Sequence, residues 1–449
     1  MRYTTYQQTE IPWVDTIPSH WSQVRNGGLF NYHQDKVGVR FDDYDLLSLS
    51  TQGVRYKDIH DATGKVPASY ENYQVVNPGD MIFCLFDLDC SAVFSGLSKY
   101  HGMITSAYDV MTPKENVINP RYLDYWFQSV FAGRYYKIFA KSVRYTINYD
   151  IFKALKTPVP PREEQDQIVR YLDWQTSNIN KLIHGYQHEI KLLEERKQTI
   201  INDAVVHGID PQAERKETKA SWMGLVPVTW KQMRMKNSFQ EINVRSAEGK
   251  EPHLSMSQKL GLVTDEENIG RPLLSESYAG AKLCEKDDLV LNRLKAHLGV
   301  FALAPILGIV SPDYTVLRLD QSLIVEYLLK SSDCRKELRI RVRGIVEGFW
   351  RLYTEDLGSI PVCLPDIEEQ NTILLYIEEK SVALNIAITK ISKQIELLKE
   401  YRTRLISDVV TGQMDVRGIA IPDYTPEEDN EDIADTDDIG GEEVETDAE

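Results

Sequence analysis

His184 and His188 stand four residues apart, a spacing at which two imidazoles on one helix face can share a metal ion. No acid of the HExxH kind lies between them, and solvated histidines are the default reading. Asp366, Glu378 and Lys380 trace the outline of a PD…ExK nuclease. That chemistry needs carboxylates converging on a divalent cation, and the last two residues fall at the start of a long helical pattern. Ala62-Thr63-Gly64-Lys65 has the lysine of a phosphate-binding loop without its spaced glycines. No catalytic, metal or nucleotide site is complete, so the chain is expected to be non-catalytic and to hold no cofactor of its own.

Two further phrases, Ser311-Pro312-Asp313-Tyr314 and Asn119-Pro120-Arg121-Tyr122, resemble the target-amine loop of amino-methyltransferases. Neither has the second proline, and no FxGxG cofactor loop accompanies them. What the chain has in quantity is basic and aromatic residues interleaved. AGRYYKIFAKSVRYTINYD carries Arg134, Lys137, Lys141 and Arg144 among Tyr135, Tyr136, Tyr145 and Tyr149. CRKELRIRVRGIVEGFWRLY carries Arg335, Lys336, Arg339, Arg341, Arg343 and Arg351, and LNRLKAHLG adds Arg293, Lys295 and His297. Cations of this kind hold phosphates, and arginine can also read guanine edges. A single such stretch reads as a solvated helix face; two at equivalent places in a repeat point to DNA. The candidate DNA-binding residues are Arg134, Lys137, Lys141, Arg144 and Tyr145, with Arg293, Lys295, Arg339, Arg341, Arg343 and Arg351.

The overall charge of −17 speaks against a nucleic-acid binder only until it is located. From Asp423 to Glu449 there are 14 acids and no base, which leaves 54 acids against 51 bases in the rest of the chain. That tail has too little apolar surface to fold, and residues 419–449 are expected to be disordered. Five scattered cysteines without a CxxC pair favour a reducing, cytoplasmic setting. No apolar run has the ~18 residues of a membrane span.

The elements that must present these residues are spelled twice. WVDTIPSHW from Trp13 returns as WMGLVPVTW from Trp222, and LSLS at Leu47 returns as LSMS at Leu254. GMITSAYDVM from Gly102 is followed by GIVSPDYTVL from Gly308, and EEQDQIVRYL from Glu163 by EEQNTILLYI from Glu368. EIKLLEERKQTIINDAVVHG matches QIELLKEYRTRLISDVVTG. The chain is therefore two copies of one unit, a mixed α and β globule followed by a long helix.

The helices show a seam. Leu172, Thr176, Ile179, Ile183, Tyr186, Ile190, Leu193, Lys197, Ile200 and Ala204 alternate spacings of four and three. A second seam runs from Ile377 to Val409, and the polar interruptions match, Thr176 with Ser381 and Lys197 with Arg402. Neither helix can bury its stripe alone, so mutual packing is expected. Prolines mark both helix starts, in TPVPPREEQ and IPVCLPDIEEQ. At 1.5 Å per residue each helix would reach roughly 65–70 Å.

Taken together, the W…IPxxW opening, LSLS, PGD, GIVSPDY, PxPPxxEQ and QIELLKEYRTRLISDVVTG resemble the specificity subunit of type I restriction–modification systems, over residues 11 to about 418. VHG stands in the first copy where the second has VTG, and AYD where it has SPDY. The resemblance implies two target recognition domains at 1–158 and 210–361. It also implies two antiparallel conserved coiled-coil helices at 159–209 and 362–418, an internal pseudo-twofold repeat, and one half of a bipartite site in double-stranded DNA read by each domain. It further implies that S-adenosylmethionine chemistry resides in modification subunits, and ATP- and Mg2+-dependent translocation and cleavage in restriction subunits. A non-catalytic coiled-coil adaptor that binds protein is the alternative reading.

Overall fold

The computed structural model describes residues 2–51, 53–58, 69–140, 145–257, 260–264, 278–319, 322–344 and 350–426. Among them no helix is long and apolar enough to cross a membrane. The chain divides into two units. One comprises the described residues of Met1–Gln187 and Ser392–Glu449, the other those of His188–Ile391.

In the first unit β1 (Phe30–His33), β2 (Met81–Phe83), β3 (Ser95–Leu97) and β4 (Asp109–Pro113) form an antiparallel sheet in the order β1-β4-β2-β3. Side chains alternate across it, as the two-residue period of a strand requires. Met81, Phe83 and Met111 enter the main core, while Ile82 and Val110 enter a smaller cluster with Leu47, Leu49 and Val54. Helix α1 (Pro120–Ala132) contributes Tyr122, Trp126 and Phe127 to the main core. Asn119 caps it by accepting from the Arg121 N–H, and Pro120 takes the first turn, where its missing N–H is harmless. The first long helix, α2 (Arg162–His207), starts in this unit.

The second unit repeats the sheet. Strands β5 (Phe239–Ile242), β6 (Leu289–Leu291), β7 (Phe301–Leu303) and β8 (Thr315–Leu319) lie in the order β5-β8-β6-β7. Leu289, Leu291 and Leu317 enter one core, Val290 and Val316 the other. The segment SLIVEYLLKSSDCRKELRIRV, which reads as one amphipathic helix, forms two: α3 (Ser322–Lys330) and α4 (Ser332–Arg341). The Ser331 hydroxyl causes the break. It donates to the Leu328 carbonyl at 2.6 Å and accepts from the Cys334 N–H at 3.2 Å, so it ends one helix and caps the next. The second long helix, α5 (Ile367–Val410), also starts in this unit.

The repeated phrases build one joint twice. Trp21 Nε1 donates to Glu164 at 3.0 Å, and Trp230 Nε1 donates to Glu369 at 2.9 Å. The neighbouring Gln165 and Gln370 donate to the carbonyls of Pro160 and Pro365, at 2.8 and 2.9 Å. Each proline–EEQ helix start is thus tied to its tryptophan and closed on its own proline. The VHG and VTG endings close the joint from the other side. Gly208 (φ 77°) and Gly412 (φ 74°) have left-handed backbones, and a Cβ on Gly412 would lie 2.2 Å from Pro18. A Cβ on Gly208 would lie 3.3 Å from Pro227. In the first unit the joint unites the N-terminal phrase, the start of α2 and the end of α5. In the second it unites the phrase at 222–230, the start of α5 and the end of α2.

The long helices meet along their seams within each unit. In the first, Leu172, Ile179 and Ile183 share a core with Leu405 and Val409. Arg402 Nη1 donates to Asn180 Oδ1 at 2.9 Å there. In the second, Ile201 and Ala204 share a core with Ile373 and Ile377. Lys197 Nζ donates to Asn385 Oδ1 at 2.9 Å. The two donors, Lys197 and Arg402, stand 205 residues apart, and so do the two acceptors, Asn180 and Asn385. In the first unit the helices run in opposite directions: Gln167 reaches carbonyls beyond the end of α5, while Asn180, farther along α2, meets the earlier Arg402.

One expectation needs correction. Residues 419–426 are not part of a disordered tail, because Ile419 and Ile421 pack against the core of the first unit. Residues 427–449 lie outside the described residues.

Candidate nucleic-acid interface

The second unit brings two of its basic stretches onto one surface. The link after β6 carries Arg293, Lys295 and His297, and its short turn packs on α4, with Ala296 and Leu338 in one core. The Leu352 N–H donates to the Arg293 carbonyl at 3.0 Å, and Arg343 and Arg351 exchange backbone hydrogen bonds of 2.9 and 2.8 Å. His297 meets the Trp350 ring edge-on with centroids 6.1 Å apart. Burial, and then the charge of Arg339, push the His297 pKa below its ordinary value, so this imidazole is neutral at neutral pH.

The arginines on this surface are not equivalent. Arg293 Nε donates to Thr315 Oγ1 at 2.8 Å. Arg341 pairs with Glu337 at 3.1 Å and donates to Ser359 Oγ at 3.2 Å. Arg343 pairs with Asp356. Lys295, Arg339 and Arg351 are exposed, and none has an acidic partner among the described residues. The charges of these three are therefore not committed to a carboxylate among the described residues.

Sequence reasoning overlooked Lys282. It is 3% exposed, and its Nζ donates to the Tyr314 carbonyl at 2.7 Å. Burial lowers its pKa, and the nearby charge of Arg293 adds to the effect. Ser311–Tyr314 is therefore a structural turn, closed by the Tyr314 N–H on the Ser311 carbonyl and by Lys282 beneath it.

The first unit repeats the frame with different groups. The Ile147 N–H donates to the Leu85 carbonyl at 2.9 Å, the counterpart of Leu352 on Arg293. Arg134 is spent on this frame: Nη1 donates to the Ser91 carbonyl at 2.8 Å, and the guanidinium lies 4.2 Å from the Phe131 ring centroid. Lys137 Nζ lies 4.5 Å from the centre of the Tyr145 ring. Asp87, Arg134 and Tyr145 all have left-handed backbones, with φ of 51°, 50° and 44°. Such conformations cost about 1–3 kcal/mol each and collect at functional surfaces. Lys141 and Arg144 lie outside the described residues. Four and six residues past the sheet strand, where the second unit has Lys295 and His297, the first has Asp87 and Asp89. A carboxylate thus replaces a cation at the first of these places and a neutral imidazole at the second, which basic residues alone do not reveal.

Among the described residues no group of three or more His, Cys, Asp or Glu could hold a metal ion. Asp366 caps α5 by accepting from the Glu369 N–H at 2.9 Å. Glu378 and Lys380 lie on that same helix, well beyond its first turn, so the PD…ExK residues do not converge.

The sheet order, the twin joints and the two long helices define a duplicated α/β chain. No family model matches it. Two curated relatives from Methanocaldococcus jannaschii span nearly all of it. One, provisionally described as the type I restriction enzyme MjaX specificity subunit, is 24% identical over 443 residues, covering 92% of this chain and 97% of its own. The other, the type I restriction enzyme MjaVIII specificity subunit, is 23% identical over 431 residues, covering 90% of this chain and 95% of its own. A solved chain, from work on complex assembly and conformational transition of the type I R-M system, shares the fold with a TM-score of 0.58 at 16% identity. It covers 89% of this chain and 99% of itself. The likeness to type I specificity subunits that the motifs carry thus extends over nine-tenths of the chain.

Proposed function

We propose that this chain is the DNA-specificity subunit of a type I restriction–modification complex and has no catalysis of its own. Each unit reads one half of a bipartite, non-palindromic site in double-stranded DNA. The two long helices, antiparallel and coiled on each other, set the spacer and dock the modification subunits. Methyl transfer from S-adenosylmethionine belongs to those subunits. ATP- and Mg2+-dependent translocation and cleavage belong to the restriction subunits.

The observation that carries this reading is a scaffold built twice under two different surfaces. Trp21 and Trp230, Glu164 and Glu369, Gln165 and Gln370, and Gly412 and Gly208 do the same work in each unit. At one matching place on the surface, Asp87 and Asp89 answer Lys295 and His297. Phosphate contacts position a protein on a duplex, whereas base contacts specify the sequence. A copied frame with uncopied side chains suits two readers of different bases. Lysine and arginine would favour guanine, and a carboxylate would accept from the cytosine amino group.

The test is methyl transfer from labelled S-adenosylmethionine to DNA. The purified chain alone should transfer nothing. The chain co-expressed with its modification subunit should methylate a DNA bearing the site and spare one with the site scrambled. Transfer by the isolated chain would overturn the reading.

A further inference from the structure

An exposed carboxylate stands beside the basic and aromatic stretch of the first unit. The link from β2 to β3 turns at Asp87, where the Cys90 and Ser91 N–H groups donate to the Asp87 carbonyl at 3.0 and 2.7 Å. Leu88 and Asp89 are the central residues of that turn. Leu88 enters the main core, 4% exposed, while Asp89 is exposed at the tip. Among the described residues no lysine or arginine pairs with the Asp89 carboxylate. A duplex carries one negative charge per ~1.7 Å of axis, so a carboxylate facing it weakens contact with any phosphate backbone. The second unit has the neutral His297 at this place, so the copied frame does not require the charge.

The tip is also held more firmly than a solvated loop needs. Arg134 Nη1 donates to the carbonyls of Leu88 and Ser91 at 3.4 and 2.8 Å, on either side of Asp89. The Leu88 N–H donates to the Tyr145 carbonyl at 3.4 Å, and the Ser91 hydroxyl to that of Val93 at 2.7 Å. A guanidinium able to bind phosphate is thus used to fix a turn whose tip is an acid. Fixed geometry is what a base contact needs, since it must meet one pattern of donors and acceptors in the groove. In the major groove cytosine offers its amino group as a donor. The adenine amino group sits beside the N7 acceptor, while guanine and thymine present acceptors, and these acceptors repel a carboxylate.

We propose that Asp89 reads the amino group of a cytosine in the half-site of the first unit, and that Arg134 is the positioning residue that holds it there. This rests on the specificity-subunit reading and adds one base to it. The carboxylate lowers affinity for every other sequence and recovers it where the cytosine stands. It therefore acts on discrimination more than on tightness.

The experiment measures binding of the full chain, in complex with its modification subunit, to duplexes that carry each base pair in turn at every position of the half-site selected by residues 1–158. The wild type should require a cytosine at one position and lose affinity at least about fivefold with any other base there. Asp89→Ala should bring that loss below about twofold and leave the other positions, the salt slope and the melting temperature unchanged. It should also bind a scrambled duplex at least as tightly as the wild type. Asp89→Asn should move the preference at that position from cytosine to adenine, because an amide matches the adenine N6 and N7 pair. Arg134→Lys should relax the same position and keep the salt slope, since that guanidinium is already used; if it melts early, the Asp89 variants alone decide. A half-site that requires no cytosine, or Asp89 variants that keep the wild-type preference everywhere or relax all positions alike, would overturn the inference. A wild-type complex that binds all the duplexes equally would instead contradict the specificity reading.

Discussion

Lengthening both long helices by four residues should lengthen the spacer between the half-sites. Asn180 and Lys197 are 17 residues apart on α2, and Asn385 and Arg402 are 17 apart on α5. An insertion in α2 alone would set 21 residues against 17 and break one cross-helix pair. Matched insertions after Gln187 and Ser392 keep both. Each adds ~6 Å of rise and ~400° of rotation, only ~40° past a full turn, so the seams nearly return to register. At 3.4 Å per base pair, 6 Å is nearly two base pairs. Matched two-residue insertions turn each helix by ~200° and should put the seams on the wrong faces, with loss of stability or assembly. The assay is sequencing of methylated adenines in cells carrying the variant with its modification partner. The same half-sites with a spacer one or two base pairs longer are expected. An active matched variant with an unchanged spacer would refute the idea that the helices measure the gap.

Other outcomes follow from the same contacts. Glu164 accepts from Tyr3 at 2.5 Å, His20 at 2.7 Å and Trp21 at 3.0 Å while 6% exposed. Glu164→Ala should therefore lower stability by about 3–5 kcal/mol, against about 1 kcal/mol for Glu369→Ala, since each stranded buried donor costs about 1–3 kcal/mol; equal losses in urea unfolding would contradict this. Lys295→Ala, Arg339→Ala and Arg351→Ala should each lower the salt slope of DNA binding by ~0.9. Arg341→Ala and Arg343→Ala, whose charges are held by Glu337 and Asp356, should leave it unchanged, and the reverse ranking would show that another face meets DNA. A thiol reagent should label Cys90 in the native chain and spare the buried Cys84, Cys284, Cys334 and Cys363. Desolvation and then the charge of Asp89 raise the Cys90 pKa, so labelling should quicken in Asp89→Asn; an unchanged rate would remove that carboxylate from the account.

Repetition made the frame legible in the sequence. The tryptophans, the EEQ starts and the glycine endings stand at nearly constant offsets, and four–three spacing marks the seams. What the offsets could not give is which repeated residue touches which. Trp21 and Glu164 are 143 positions apart, and Asn180 meets Arg402 only once the helix register is set. The break at Ser331 was hidden because the apolar pattern continues through it, while a single hydroxyl decides the matter. The arginines look alike as letters. Their ion pairs, with Glu337 for Arg341 and Asp356 for Arg343, separate the committed from the available. Two isoleucines were too weak a signal to lift residues 419–426 out of the acidic tail beside them.

The most direct measurement is the map of methylated adenines in a host carrying this chain and its modification subunit, made again after residues 1–158 are replaced by the same region of a relative. The account predicts a bipartite site with two unlike halves and a fixed gap, of which the replacement changes one half and leaves the other. A palindromic site, or a replacement that alters both halves, would contradict it.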